Sequence, residues 1–425
     1  RVHHDPARVW RSLIVDQSPE PALANIQVAT LNFHFAQNYG AVLQAIALQD
    51  RLESLGAEVR VIDYRPPGHS QHYAPLPNPV LSAVWKFRGA TATGASVSSA
   101  AKQALARAIR SVLLWKTQGQ RRSQARRFES YRSRHFEMTR RYKSMRQLRA
   151  TPPEADVYVV GSDQVWNPTN MGGIDPAYFL SFGAAHVVRA GYAVSTPQLD
   201  PARHQRALAS LVPPIDHLSL REPHLMAPLS KLATTPVQLV PDPVMLMTAS
   251  DFQKYSDEAS VPRRPYLLLY AVNTHSTRAS LIRLVNHLRA SLSVEVVDVS
   301  LEPAAWPFPV TRPVDLTPGT FLSYISEARF VVSNSFHATA FSLLYQRDFA
   351  VVSAPGTGGR MSELLTRVRL TERIVSEQTD LSAFDTPIDY RDVEIHLTEM
   401  RSRGMSFLHT VVDESENRRR KCVVR

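Results

Sequence analysis

A short run of polar residues stands where a predicted strand meets a predicted helix. Ser335, Phe336 and His337 follow the apolar strand 330–332 and precede an apolar helix, which places Ser335 as the N-cap and His337 in the first turn. Free backbone N–H groups at such a helix start attract an anion, and the helix dipole favours a neutral imidazole that can act as a base. For a short motif taken alone, however, a simple cap with a satisfied polar side chain is the better interpretation.

Arg221 is the second candidate for binding an anion. Its planar guanidinium can hold a carboxylate or a phosphate through two parallel hydrogen bonds. For an isolated Arg-Glu sequence, a surface ion pair with Glu222 is the more frequent arrangement. Arg360, at the end of the basic loop 356–360, is a further candidate for contact with the substrate, whereas Asp242, between two prolines, is interpreted as a turn residue.

A polar loop at the end of the apolar segment 157–160 could line a sugar site. A tight glycine turn is followed there by hydrogen-bonding side chains, and a tryptophan offers a flat apolar surface on which a sugar ring can stack. A core tryptophan behind a polar turn is an equally weighted alternative. The candidate substrate-binding residues of this loop are Gly161, Ser162, Asp163, Gln164, Trp166 and Asn167.

A further helix entrance lies near the start of the chain. Asn38, Tyr39 and Gly40 separate the apolar run 26–31 from a segment with helical apolar spacing, so they place a polar side chain and a glycine at the helix start. These three residues are candidates for substrate binding. The full G-x-G-x-x-G pattern is missing, so we expect no nicotinamide cofactor.

The cysteine and histidine positions do not indicate a metal site. Cys422 is the single cysteine, which excludes a disulfide within this chain and a cysteine-based metal cluster. His3 and His4 have no third ligand at a plausible spacing, and the chain contains no H-E-x-x-H motif. We therefore expect no metal and no bound cofactor.

The elements that must position these residues alternate between strand and helix. Such a βαβ pattern implies parallel sheets, and 425 residues suit two domains. The predicted fold class is therefore α/β, with two Rossmann-like lobes facing a central cleft. The loops at the carboxyl ends of both sheets should meet in this cleft, so the candidate residues are expected to converge there.

Four segments are predicted along the chain. Residues 1–24 are an extension outside the fold, and 25–236 form an N-terminal Rossmann-like lobe with a basic helical insertion at about 100–150. Residues 237–385 form a C-terminal Rossmann-like lobe, and 386–425 form a C-terminal helix and a basic tail. No signal-peptide core or membrane span is recognised, so we expect a cytoplasmic location, either free or at the inner face of the membrane.

Positive charge is concentrated in one segment. The chain has a formal net charge of +11, and residues 101–150 alone hold 15 Lys and Arg against two Glu. No groove-reading or aromatic pattern accompanies this charge, so nucleic acid is not an expected partner. The segment is interpreted as a solvated helical face. Peripheral contact with anionic membrane headgroups, or with a diphosphate-linked substrate, is the alternative.

Taken together, four of these motifs resemble the polysaccharide pyruvyl transferase family in order and spacing. They begin at Asn38, Gly161, Ser219 and Ser335, and the likeness spans roughly residues 26–385. The resemblance implies a glycosyltransferase-B-like fold and phosphoenolpyruvate as co-substrate. It also implies a carbohydrate acceptor, lipid-linked or not, that receives pyruvate as a ketal while phosphate is released.

The resemblance also assigns roles to single residues. His337 corresponds to the family's essential histidine and Arg221 to its donor-binding arginine, so both are predicted to be catalytic. Ala338 stands where the family often has glycine, and its methyl group narrows the approach of the backbone to the donor.

Two other functions remain open. A nucleotide-sugar-dependent glycosyltransferase would use the same two-lobed fold, because a fold does not fix a function. A non-enzymatic protein that binds a membrane surface or a polyanion through residues 101–150 is the second alternative. Donor choice tests the first alternative, and reversing the charge of the basic segment tests the second.

Overall fold

The first lobe is centred on a six-stranded sheet in which all neighbouring strands pair in parallel. The structure, a computed structural model, describes residues 26–302, 304–353 and 359–423, so the predicted extension at 1–24 lies outside the described residues. The strands are β1 (Gln27–Leu31), β2 (Glu58–Val61), β3 (Val157–Val160), β4 (Val188–Val194), β5 (His217–Leu220) and β6 (Gln238–Leu239). In space they lie in the order β2-β1-β3-β4-β5-β6.

The second lobe is centred on a five-stranded sheet, also parallel throughout. Its strands are β7 (Tyr266–Tyr270), β8 (Glu295–Asp298), β9 (Phe330–Ser333), β10 (Asp348–Val352) and β11 (Ile374–Val375), in the spatial order β11-β10-β9-β7-β8. Two parallel α/β lobes were predicted from the alternating pattern, and this prediction is confirmed. The strand order reverses between β1 and β3 and between β7 and β9, and ligands bind at such points in open parallel sheets.

Helices cover the sheets, which is why a central strand such as β3 is apolar and buried at every position. The helices up to the end of the first sheet are α1 (Tyr39–Glu53), α2 (Pro67–Ser70), α3 (Pro79–Ala92), α4 (Val97–Leu113), α5 (Gln118–His135), α6 (Met145–Ala150), α7 (Pro168–Met171), α8 (Gln205–Leu211) and α9 (Met226–Ser230). Those that follow are α10 (Ala249–Phe252), α11 (Arg278–Leu292), α12 (Pro318–Glu327), α13 (Phe336–Leu344), α14 (Gly359–Arg367) and α15 (Tyr390–Val423). None of these described helices has the length and apolarity needed to cross a membrane.

The chain leaves the first sheet later than the predicted boundary at residue 237. β6, which starts at Gln238, pairs with β5 of the first sheet. Val240 and Leu246 also belong to the core of the first lobe. The short strand before Pro241 was assigned to the following lobe, and only its pairing partner shows to which sheet it belongs.

The helical insertion between β2 and β3 begins earlier than the predicted residue 100. α3 starts at Pro79 because Asn78 caps it: its side-chain oxygen accepts the N–H groups of Val80 at 2.9 Å and Leu81 at 3.1 Å. Proline suits the first helical position, which needs no N–H donor. The insertion therefore holds the α3–α4 pair in addition to the Arg-rich helix α5.

The long C-terminal helix α15 crosses both lobes. Val393 and Leu397 near its start pack in the core shared with the second sheet, and Phe407 and Leu408 pack against β3 and β4 of the first. Gly404 marks a close crossing, because a Cβ there would lie 2.5 Å from the Tyr192 hydroxyl. The predicted C-terminal helix thus joins the two lobes.

Candidate functional site

A buried carboxylate, Asp242, joins the residues predicted for the site. Its Oδ2 accepts hydrogen bonds from Ser162 Oγ at 2.9 Å and from Arg221 at 2.5 Å, and it lies 3.7 Å from His337 Nε2. Oδ1 accepts the backbone N–H of Val244 at 3.1 Å. Burial alone would raise the pKa of Asp242, but its contacts with His337 and Arg221 hold this pKa well below its ordinary value. The carboxylate is therefore charged at neutral pH.

Arg221 is buried rather than paired at the surface. Only 5% of the residue is exposed, Nε lies 3.6 Å from a Glu222 carboxylate oxygen, and the guanidinium stacks 4.6 Å above the Phe336 ring. The surface ion pair considered from the sequence is therefore wrong. Burial lowers the pKa of Arg221, but Asp242 and Glu222 more than offset this and raise it. Nη2 is buried and has no hydrogen-bond partner among the described residues, so this donor can hold a ligand.

His337 lies in the first turn of α13, as predicted, and is 7% exposed. The 3.7 Å between Nε2 and Asp242 is too long for a hydrogen bond, and Nε2 is a buried atom without a hydrogen-bond partner in the described part of the chain. The opposite side of the ring contacts helix α1. One face of the imidazole is thus held by packing while Nε2 is available to a ligand.

Two helix N-termini meet at the imidazole. Asn38 caps α1, where its side chain accepts the N–H of Ala41 at 3.1 Å, and Gly40 in the first turn lies directly against His337. Ser335 occupies the N-cap of α13, but its side chain makes no capping hydrogen bond. Since the first N–H groups of a helix lack partners within it, both helices favour an anion here.

Arg360 brings a second guanidinium to this region. It lies in the first turn of α14 and is partly buried. Burial and the nearby charge of Arg221 lower its pKa to about 10. Residues 354–358 of the preceding loop lie outside the described part. Two cations in mutual repulsion favour a multiply charged anion between them.

Trp166 and Tyr39 are placed in cores, where neither ring is open to a sugar. The Trp166 indole is 1% exposed, stacks 4.2 Å from Phe179 and donates its N–H to the Tyr178 carbonyl at 2.7 Å. The sugar-stacking role considered for Trp166 is therefore wrong, and the core interpretation holds. Tyr39 is fully buried, and its hydroxyl donates to the Val299 carbonyl at 3.1 Å, which ties α1 to the second lobe.

The remaining residues of the Gly161 loop hold its shape. A Cβ at Gly161 would lie 3.2 Å from Leu48, so the loop passes close to α1. Asp163 adopts a left-handed φ of 72°, and its side chain accepts the N–H of Gln164 at 2.8 Å. Asn167 donates to the Gln164 side chain at 2.7 Å. Of this loop, Ser162 is the residue that reaches the Asp242–Arg221 pair, at 2.9 and 3.2 Å.

Asp242 and Glu222 are two residues of the site that were not predicted from the sequence. Glu222 is buried and accepts hydrogen bonds from the Ser195 hydroxyl at 2.5 Å and the Thr196 N–H at 3.1 Å, so it fixes the loop after β4 beside Arg221. Asp242 lies three residues after the end of β6. This position at the carboxyl end of a parallel strand is the sequence feature that could have identified it as a site residue. In the described part of the chain, no group of three or more His, Cys, Asp or Glu could hold a metal ion.

Replacing Gly40 with alanine should disturb the imidazole directly. The new Cβ would lie 2.1 Å from Cγ and Nδ1 of His337, so ring or helix must move, and we expect the free energy of unfolding to fall by about 1–3 kcal/mol. Gly119→Ala, in a helix with nothing within 4 Å, is the matched control and should not destabilise the protein. Urea unfolding measures both, and equal stability of the two variants would contradict the close contact.

Replacing Asp242 with asparagine should leave Arg221 as a poorly compensated buried charge. We expect the free energy of unfolding to fall by about 3 kcal/mol at neutral pH. The depressed pKa of Asp242 means that its stabilisation is complete above the unfolded value of about 3.9 and is lost as the pH falls through the folded value. The difference between wild type and variant should therefore shrink below about pH 4.

Urea unfolding at neutral pH and near pH 3 measures this difference. Asp413→Asn, at an exposed position on α15, is the control and should change little at either pH. A wild-type advantage over Asp242→Asn that is the same at both pH values would argue against a low pKa.

Comparison with models of known protein families gives a match over most of the chain. The family model described as polysaccharide pyruvyl transferase matches residues 38–354, well over half of the chain. No curated protein matched in the sequence search.

Solved structures align over most of the chain at low identity. Staphylococcus aureus MnaA with UDP has a TM-score of 0.44 and 11% identity, covering 89% of this chain and 91% of that one. The glycosyltransferase SnogD from Streptomyces nogalater has a TM-score of 0.46 and 11% identity, covering 93% and 100%. The UDP-GlcNAc 2-epimerase from Neisseria meningitidis, bound to UDP-GlcNAc, has a TM-score of 0.43 and 7% identity, covering 92% and 98%.

Proposed function

This chain belongs to the polysaccharide pyruvyl transferase family, and we propose that it moves the enolpyruvyl group of phosphoenolpyruvate onto a sugar diol as a pyruvate ketal. Family membership supports a transferase acting on carbohydrate. The choice of donor rests on the chemistry of the cleft: its buried groups suit a small molecule that carries more than one negative charge.

The observation that carries the proposal is a pair of buried nitrogen atoms without hydrogen-bond partners among the described residues. Arg221 Nη2 and His337 Nε2 belong to two side chains that approach the same carboxylate oxygen, Asp242 Oδ2. Buried polar atoms without partners cost free energy, so such a site is built for a ligand. Phosphoenolpyruvate offers a carboxylate and a phosphate, which Arg221, Arg360 and the two helix N-termini could share.

The reaction divides into two additions. A proton is added to the methylene carbon of the enol, and one sugar hydroxyl attacks the resulting oxocarbenium-like carbon and gives up its proton. Phosphate then leaves, the neighbouring hydroxyl attacks the same carbon, and its proton ends on phosphate. One hydroxyl proton thus balances the new methyl group and the other balances the hydrogen phosphate. His337 Nε2 would carry these protons, and the charge of Asp242 would stabilise the imidazolium between transfers.

Incubation with phosphoenolpyruvate and a panel of sugar acceptors tests the proposal. Mass spectrometry should find an acceptor with an added pyruvate ketal, together with released inorganic phosphate. Protection against thermal unfolding by phosphoenolpyruvate in the absence of an acceptor should accompany this result. Protection by a nucleotide sugar but not by phosphoenolpyruvate, without any adduct, would replace the proposal with a nucleotide-sugar-dependent transferase.

A further inference from the structure

Exposed large apolar side chains are concentrated on one part of the surface. Among the described residues, all but Val314 and Ile395 lie in the helical hairpin formed by α3 and α4 and its flanking turns. The members in this region are Leu76, Val80, Leu81, Val84, Val97, Leu105, Ile109, Val112, Leu113 and Trp115, each 42% exposed or more. We call this surface the hairpin patch. Exposed apolar surfaces that are larger than those of ordinary monomers mark interaction sites.

On helix α4 of the hairpin, large apolar residues are exposed and small residues are buried. Leu105, Ile109 and Val112 recur at the spacing of one helical face on α4, and this face is exposed. The buried positions of α4 are the small residues Ala100 and Ser111. An ordinary helix of a globular protein buries its leucines and exposes its small polar residues. No element of the described part of the chain covers the apolar face of α4.

The charge of the residues around the hairpin patch indicates which kind of partner would bind this surface. Residues 76–117 contain six Lys and Arg and no Asp or Glu. Arg88, Lys102 and Lys116 are exposed. A second copy docked through the same face would bring like charges together, whereas anionic headgroups would be attracted. Apolar residues flanked by basic ones are the composition of a helix that lies at a membrane interface.

The Arg-rich helix α5, which carries much of the charge of residues 101–150, is held between the lobes. Its residues Phe128 and Tyr131 are buried, and the Tyr131 hydroxyl donates to the Tyr255 carbonyl at 2.6 Å. Arg127 donates to the Leu316 carbonyl at 3.3 Å. The surface suited to lipid therefore lies on α3 and α4. It begins earlier in the chain than residues 101–150, the segment considered from charge alone, and it does not include α5.

The hairpin and the turn before it contact segments that follow the carboxyl ends of strands in both lobes. Gln37, next to the cap of α1, donates to the Tyr73 carbonyl at 2.6 Å just before the hairpin begins. On α4, Arg110 forms an ion pair at 2.6 Å with Glu302, in the loop after β8 of the second lobe. We infer that the hairpin patch lies on an anionic lipid surface, with its apolar side chains among the acyl chains and its Lys and Arg at the headgroups. This attachment would place the opening of the cleft beside the membrane.

Vesicle flotation of the full chain tests this inference. Vesicles of phosphatidylcholine with phosphatidylglycerol should bind the protein at least about tenfold more strongly than phosphatidylcholine alone. The double variant Leu105→Gln/Ile109→Gln should lose at least about tenfold of this binding, because both side chains would otherwise enter the acyl region. Val314→Gln/Ile395→Gln removes two apolar side chains outside the hairpin patch that are each more than half exposed, as Leu105 and Ile109 are, and should bind as wild type does.

Several outcomes would overturn the inference. Equal binding by both double variants would show that the apolar face is not inserted. Failure of wild type to bind anionic vesicles would show that lipid is not the partner. A dimer in analytical ultracentrifugation that Leu105→Gln/Ile109→Gln converts to a monomer, without vesicle binding, would assign the hairpin patch to a second copy of the chain. Each readout is independent of the donor substrate.

Discussion

Replacing His337 with glutamine is expected to lower the turnover of pyruvyl transfer by about 10²–10⁴-fold. Glutamine can fill much of the imidazole's space but cannot take up and return a proton. Because the proposed donor contacts depend on Arg221, Arg360 and backbone N–H groups, binding of phosphoenolpyruvate should change much less. Phosphate release measured against donor concentration separates the two effects, with a fall in kcat and a nearly constant KM.

His409→Gln is the matched control, since this histidine is exposed on α15. It should retain wild-type turnover. If His337→Gln also retained it, the proton-transfer role of His337 would be refuted. A thermal unfolding midpoint close to that of wild type would show that any loss is chemical rather than structural.

Replacing Arg221 with lysine should weaken binding of the donor. Lysine keeps the positive charge between Asp242 and Glu222 but loses the planar fork and the stacking on Phe336, which lies 4.6 Å away in the wild type. The unpartnered Nη2 donor also disappears. We expect the KM for phosphoenolpyruvate to rise by about 10–100-fold, since a charged hydrogen bond is worth roughly 1.5–3 kcal/mol.

The readout is the KM for phosphoenolpyruvate, together with the concentration of donor that protects against thermal unfolding. Arg329→Lys, which keeps a charge opposite Asp348 at an ion pair of 2.8 Å outside the cleft, is the control and should leave both values unchanged. A wild-type KM in Arg221→Lys would contradict donor binding by this guanidinium. A loss of turnover at unchanged KM would instead assign Arg221 to the chemical step.

The strands and helices of both lobes could be predicted from the sequence because their apolar residues follow recognisable patterns. The apolar segments at 26–31, 157–160 and 330–332 correspond to β1, β3 and β9 within one residue. Parallel strands are covered on both faces, so their apolar runs are continuous and easy to recognise. The edge strand β6 was harder, since two paired residues before a proline carry almost no periodic signal.

The helix-start motifs were found because capping is local. Asn38 and Ser335 were placed correctly at helix starts from their position after an apolar run, and His337 was placed correctly in the first turn of α13. Their meeting was expected from the general behaviour of parallel sheets. The contact between Gly40 and His337, however, joins residues almost three hundred positions apart, and no local rule specifies it.

Burial of polar groups was decided by tertiary structure. Arg221 and Asp242 each have an ordinary surface or turn interpretation in the sequence, yet they pair inside the protein at 2.5 Å with less than a tenth of either residue exposed. Trp166 is also buried, although an indole in a polar loop could equally well have contacted a ligand. Which of these occurs depends on what other chain segments cover the residue.

The sequence by itself determined the two parallel lobes, the helix entrances and the presence of Ser335, Phe336 and His337 at one of them, because these depend on short-range periodicity and capping. Only the tertiary structure decided which side chains surround that histidine. Asp242 approaches it from the end of the first lobe, and Gly40 approaches it from a helix of the same lobe. The reason is physical: the free energy of a buried charge is set by partners brought together through folding, and sequence neighbours do not reveal them.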